Sequence, residues 1–153
     1  MLIIAHNIRS LHNVGSILRN AAAFGVEKVF LTGITGVPPR KEIAKVSLGA
    51  EDLVPWETGE IGSVIDGLKQ GGYAVLGLDN TDGAIDIALF SERHYAQRPT
   101  PYALLLGNEV EGIDENTRAM LDGLVMIPMM KKRSLNVSVA SGVAMYALKN
   151  LSS

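Results

Sequence analysis

Short, uninterrupted apolar runs of strand length alternate with longer segments of helical spacing along almost the whole chain. That alternation is the pattern of βαβ units feeding a parallel sheet. Runs such as Ala103–Leu106 are apolar at every position, as expected when helices cover both faces of a sheet. Strands are expected at Leu2–Ala5, Val29–Thr32, Tyr73–Leu78, Ala103–Leu106 and Leu124–Ile127. Helices are expected at Val14–Phe24, Lys41–Leu48, Ile61–Gln70, Glu115–Leu121 and Leu135–Leu151. Between Gly83 and Pro101 the reading is divided, because Ile85, Ile87 and Leu89 alternate like a strand before polar residues take over. The 153 residues suffice for one domain with a real core, and residues 1–153 are expected to form a single unit.

In an open α/β sheet, ligands bind where strand ends feed helix starts. Three such junctions carry unusual polar residues. The first is Asn13-Val14-Gly15-Ser16-Ile17-Leu18-Arg19, the second Leu106-Gly107-Asn108-Glu109-Val110-Glu111-Gly112. The third joins Ile127-Pro128-Met129-Met130 through the basic run Lys131-Lys132-Arg133 to Ser134-Leu135-Asn136, at the start of an apolar helix. Arg19 stands in an otherwise apolar helical pattern. Asn13 suits an N-cap for a helix beginning at Val14, and Ser134 and Asn136 suit the unpaired N–H groups of the last helix. Gly107 and Gly112 suit close backbone approach or a turn at positive φ.

In this order, the three motifs resemble those of the SpoU/TrmH family of RNA ribose methyltransferases, within the SPOUT class. The segment Ser47-Leu48-Gly49-Ala50-Glu51, followed by Val54-Pro55-Trp56-Glu57, is similar to a stretch many members carry between the first two motifs. The resemblance implies a parallel sheet flanked by helices, with a C-terminal trefoil knot forming the cofactor site. It also implies methyl transfer from S-adenosylmethionine to a ribose 2′-hydroxyl, with tRNA favoured over rRNA. Carried over residue by residue, it puts Arg19, Asn13, Glu109, Ser134 and Asn136 in the catalytic set. The cofactor set is Leu106, Gly107, Asn108, Ile127, Met129, Ser134, Leu135 and Asn136. Family mechanisms often make the motif-one arginine the activator of the 2′-hydroxyl. A guanidinium with a pKa above ~12 is a poor base, so stabilisation of the developing alkoxide or the adjacent phosphate is the preferred role for Arg19, with a base role left open. Glu109 is expected to fix Arg19 or to bind a ribose hydroxyl. Many relatives carry a glycine after Ile-Pro-Met; Met130-Lys131-Lys132-Arg133 has none.

The net charge of −2 lacks the basic excess of many RNA-binding domains, so phosphates must be met by local clusters. Arg9, Lys131, Lys132 and Arg133 are the expected RNA contacts; Arg40-Lys41 with Lys45 reads better as a solvated face. There is no cysteine, hence no disulfide, thiolate metal site or cysteine nucleophile. His6, His12 and His94 lack metal-ligand spacing, and Asp79-Asn80-Thr81-Asp82-Gly83 reads as a turn, not a calcium loop. No metal and no membrane are expected, and a cytoplasmic location is the default. Neither a Gly-x-Gly-x-x-Gly after the first strand nor a P-loop lysine is present, which argues against dinucleotide and nucleotide phosphate cradles. The last helix is apolar nearly all round and rich in small residues from Ser138 to Ala144, which suits either a central core helix or one shared with a second copy; the family resemblance favours a homodimer. The competing readings are an RNA-binding or assembly protein without turnover, and methylation of a base or a small molecule.

Overall fold

The computed structural model describes residues 1–97 and 100–149, with 94–97 as backbone only. Arg98, Pro99, the side chain of His94 and the expected helix end at Leu151 lie outside them. A parallel sheet of seven strands runs through the protein in the order β3-β2-β1-β6-β4-β7-β5. The strands are β1 (Leu2–His6), β2 (Lys28–Thr32), β3 (Trp56–Gly59), β4 (Ala74–Leu78), β5 (Ile85–Asp86), β6 (Tyr102–Leu106) and β7 (Gly123–Met126). The helices are α1 (Leu11–Ala23), α2 (Lys41–Ser47), α3 (Ile61–Gln70), α4 (Ile87–Gln97), α5 (Glu115–Ala119) and α6 (Val137–Leu148), with a 3-10 turn at Ala50–Asp52.

Every residue of β1 and β6 is buried, which explains their unbroken apolar runs. Ile3, Ala5, Leu104 and Leu106 face a core closed by Val14, Ile17 and Leu18 of α1, Ile43 of α2 and Met145 and Leu148 of α6. Leu2, Ile4, Ala103 and Leu105 face a second core closed by Ile65 and Leu68 of α3 and by Ile113. Each fully buried Ile or Leu contributes about 1.5–3 kcal/mol, so this central pair of strands anchors both layers. No helix among the described residues is long and apolar enough to cross a membrane.

The five expected strands are all present, and α3 has the expected bounds. Two strands and a helix were not expected. β3 is an edge strand with three of its four residues exposed, so it offers no apolar run. The apparent alternation of Ile85, Ile87 and Leu89 is a two-residue strand running directly into α4, where Ile87 and Phe90 are buried one turn apart. α1 begins three residues before Val14, because the Ser10 hydroxyl accepts from the Asn13 N–H at 3.3 Å. Ser10 is therefore the cap, and Asn13 lies inside the helix.

Candidate functional site

Strand order reverses at β1 and β6: the chain leaves β1 toward β2 and β3, and leaves β6 toward β7 on the far side of β4. The loops following these two strands are tied together. Backbone N–H groups of Arg9 and Ser10 donate to the two oxygens of Glu109 at 2.9 and 3.0 Å, and Asn13 Nδ2 donates to Glu109 Oε1 at 3.0 Å. Asn108 Nδ2 donates to the Asn7 carbonyl at 2.9 Å. Burial would raise the carboxyl pKa of Glu109, but these three donors outweigh it and hold the group below the usual carboxylate range.

The loop after β6 is organised by its own residues. Asn108 and Gly112 exchange backbone hydrogen bonds at 3.0 Å, while Asn108 Oδ1 accepts from the N–H groups of Val110 and Glu111. Gly112 turns at φ +69°, which favours glycine. Gly107 is glycine for another reason: a Cβ there would lie 2.6 Å from the Gly112 carbonyl oxygen. Close approach by the loop itself, and not only by a ligand, excludes a side chain.

Beside this loop, the ends of β4, β6 and β7 and the start of α6 enclose a cleft of about 270 Å³, just below the ~300–1,000 Å³ range of ligand pockets. Of the eight residues expected at the cofactor, Leu106, Gly107, Asn108, Ile127, Met129, Ser134 and Leu135 line it. Asn136, the eighth, instead caps α6: its Oδ1 accepts from the Ser138 N–H at 2.9 Å and from the Ser138 hydroxyl. Three carboxylates, Asp79, Glu109 and Glu111, share the wall with one cation, Arg133. Asp79 is held by Arg118 Nη2 at 2.7 Å, and Asn80 Nδ2 donates to the Arg133 carbonyl at 2.8 Å. Apolar walls and a surplus of carboxylates favour a ligand with an apolar ring and positive charge.

Arg19 does not join this cleft. It is exposed on α1, in a separate groove shared with Val46 and with Ser138, Val139 and Gly142 of α6. Among the described residues neither Glu109 nor Asn13 bonds to Arg19; the Glu109 carboxylate accepts from Asn13 and from the Arg9 and Ser10 N–H groups instead. The next residue does cross to α6: Asn20 Nδ2 donates to the Ser138 carbonyl at 2.8 Å and to Ser141 Oγ at 3.0 Å. Lys131, Lys132 and Arg133 are exposed beside the cleft, whereas Arg9 is exposed on the β1 loop.

Asp79, Asn80, Val137 and Ala140 also line the cleft and were not expected there. The turn at Asp79–Gly83 is present, with Ala84 N–H bonded to the Thr81 carbonyl. Its place directly after the apolar run of β4, a strand end of the kind that binds ligands in open α/β sheets, was the signal in the sequence; the sheet order decided that this end meets the cleft. His6 is buried, bonded to Thr32 Oγ1 at 2.9 Å and to Asn7 Nδ2 at 3.1 Å. Burial lowers its pKa, partly offset by Asp114 and Glu60, the caps of α5 and α3.

Comparison with known proteins agrees with this geometry. Residues 1–146 match the SpoU rRNA methylase family. A Staphylococcus haemolyticus protein assigned to the TrmH family of tRNA/rRNA methyltransferases is 35% identical over 95% of this chain and 56% of its own. The 23S rRNA (guanosine-2′-O-)-methyltransferase RlmB of Shewanella oneidensis is 32% identical over 95% of this chain and 57% of its own. The crystal structure of the SpoU methyltransferase AviRb from Streptomyces viridochromogenes, in complex with AdoMet, superimposes with a TM-score of 0.85 at 25% identity, covering 98% of this chain and 59% of that one. The chain spans little more than half the length of the curated relatives it matches.

Proposed function

The chain belongs to the SpoU rRNA methylase family, and from that premise we propose that it transfers a methyl group from S-adenosylmethionine to a ribose 2′-hydroxyl of RNA. The observation that carries this reading is the cleft itself, which gathers the second and third motifs at the C-terminal ends of β6 and β7 and is lined by Asp79, Glu109 and Glu111, with Asp79 paired to Arg118 and Arg133 as the lining cation. These residues fit the donor's chemistry. Leu106, Ile127 and Leu135 supply apolar walls for adenine, while the carboxylates suit ribose hydroxyls and the cationic sulfonium and ammonium groups. Bound there, S-adenosylmethionine supplies an electrophilic methyl group.

The protein's part is then orientation and charge. Holding a hydroxyl in line with the methyl contributes about 7–11 kcal/mol relative to free encounter. Arg19 stabilises the developing alkoxide and the neighbouring phosphate, and the proton leaves to solvent, phosphate or a nearby acceptor. Because Arg19 lies outside its own cleft, this role calls for a homodimer that puts Arg19 at a subunit junction. Support comes from α6, which exposes Val139, Val143 and Tyr146 next to the Arg19 groove. With this reading goes the C-terminal trefoil knot that the SPOUT resemblance implies, in a sheet where β6 inserts between β1 and β4, and β7 between β4 and β5. In this reading residues 1–153 are one catalytic unit working in the cytoplasm, with Lys131, Lys132, Arg133 and Arg9 on the RNA.

Calorimetry with S-adenosylmethionine and S-adenosylhomocysteine in excess chelator tests the donor site, and absence of binding by both refutes it. Ribose-methylation mapping of tRNA and rRNA, with and without the protein, tests the substrate. A tRNA position is the expected gain. An rRNA position would move the assignment, and no gained position in either pool would remove it.

A further inference from the structure

The segment between the first two motifs builds a second groove that the methyl-transfer reading leaves unused. It measures about 620 Å³ and lies between the start of α2 and the beginning of edge strand β3. Trp56, the chain's single tryptophan, is half-buried in its wall with its inner side against the core. Pro38 and Pro39 supply apolar surface, and Arg40 and Lys41 stand exposed at the rim. Neither cation forms an ion pair among the described residues. Two acids also line the groove. The Glu51 carboxylate is taken up by the Ser47 hydroxyl, which holds its pKa below the usual range, and this leaves Asp52 as the exposed acceptor.

We propose that this groove binds an unpaired nucleotide of the RNA, its base stacked against Trp56 and its phosphate held by Arg40 and Lys41. An aromatic face beside unpaired cations is the combination that single-stranded nucleic acid uses, because every base has a π-face and every linkage a negative charge. Asp52 is placed to accept from an exocyclic amino group, which only some bases carry. The groove stays open if α6 is covered by a second copy. At 3.6 residues per turn, Lys41 and Ala44 project from α2 nearly opposite Val46, and it is Val46 that lines the Arg19–α6 groove. The site would hold RNA at a distance from the methylated nucleotide, because Trp56 pairs with Val29 where the parallel strands begin, whereas the cleft lies where they end. The inference rests on the RNA reading above, but not on turnover.

Because Trp56 is the only tryptophan, its emission reports contact directly. The full chain is titrated with short single-stranded oligoadenylate carrying a fluorophore, following anisotropy and tryptophan emission together. Saturable quenching that tracks anisotropy and weakens with added salt is the expected result. Arg40→Ala with Lys41→Ala, both exposed, should weaken binding and flatten its salt dependence while leaving the melting temperature unchanged. Trp56→Leu should weaken binding at least about fivefold, and Trp56→Phe should restore most of it. If Trp56→Leu fails to fold, the cation pair and the wild-type quenching still decide. Anisotropy showing bound RNA with unchanged tryptophan emission overturns the groove and keeps the RNA reading. Wild-type affinity in the Arg40/Lys41 variant does the same. No RNA binding at low salt overturns both, whereas loss of donor binding alone touches only the methyl-transfer reading.

Discussion

Asn13 Nδ2 donates to Glu109 Oε1 at 3.0 Å across 96 residues of sequence, joining the first motif to the second at the point where strand order reverses. Glu109 thereby closes the loop before α1 as well as the wall of the cleft. Asn13→Ala should cost about 1 kcal/mol in denaturant unfolding, and Glu109→Ala about 2 kcal/mol, since it also strands the N–H groups of Arg9 and Ser10. A double-mutant cycle should return a coupling of about 1 kcal/mol; strict additivity would mean the bond contributes nothing in solution.

Acidification should loosen the same junction in two stages. His6 has a folded-state pKa below its ordinary value of 6.5, because burial opposes the imidazolium more than Asp114 and Glu60 favour it. The unfolded chain therefore binds this proton first, so stability falls as pH drops through about 6.5 and levels off below the folded pKa. Glu109 follows at lower pH: its lowered pKa stabilises the fold above the ordinary carboxylate range, and that stabilisation disappears as pH falls through the folded value. His6→Gln should remove the first decline and keep the second. An unaltered slope between about pH 7.5 and 5.5 would place the titration elsewhere.

Gly107→Ala should destabilise the protein by about 1–3 kcal/mol, because its Cβ would meet the Gly112 carbonyl oxygen at 2.6 Å and the loop must shift. Donor affinity should drop with it. A variant of wild-type stability and affinity would show that the loop relaxes freely.

Arg19→Ala should abolish methyl transfer and leave donor affinity nearly unchanged, since Arg19 lies outside the cleft. Arg19→Lys should fail in large part, as a point ammonium does not reproduce the planar fork. Asn136→Ala should weaken both donor binding and turnover by releasing the start of α6. Single-turnover assays on the mapped RNA separate these effects, and wild-type turnover by Arg19→Ala would remove its catalytic role.

Neutralising Lys131, Lys132 and Arg133 together should weaken RNA binding far more than donor binding. For every phosphate that is no longer neutralised, the slope of log affinity against log salt should also shrink by roughly 0.7–0.9. Unchanged slope and affinity in titrations at several salt concentrations would return the run to solvent.

Local information determined a good deal of this. Apolar runs at β1, β2, β4, β6 and β7 reveal themselves because strands covered on both faces have no polar positions, and the ordered motifs marked seven residues that do line the cleft. What the chain did not announce depends on partners far away. β3 and β5 exist because a neighbouring strand offers hydrogen bonds, not because their residues demand burial. Asn13 looked like a cap, but Ser10 does that work, and the partner of Asn13 arrives only with β6. Asp79 reached the cleft through the sheet order, and Arg19 was kept out of it by the face of α1 on which it falls. Periodicity and motif are written in neighbouring residues, whereas the pairing of loops across a sheet is settled by packing among segments that the sequence places dozens of residues apart.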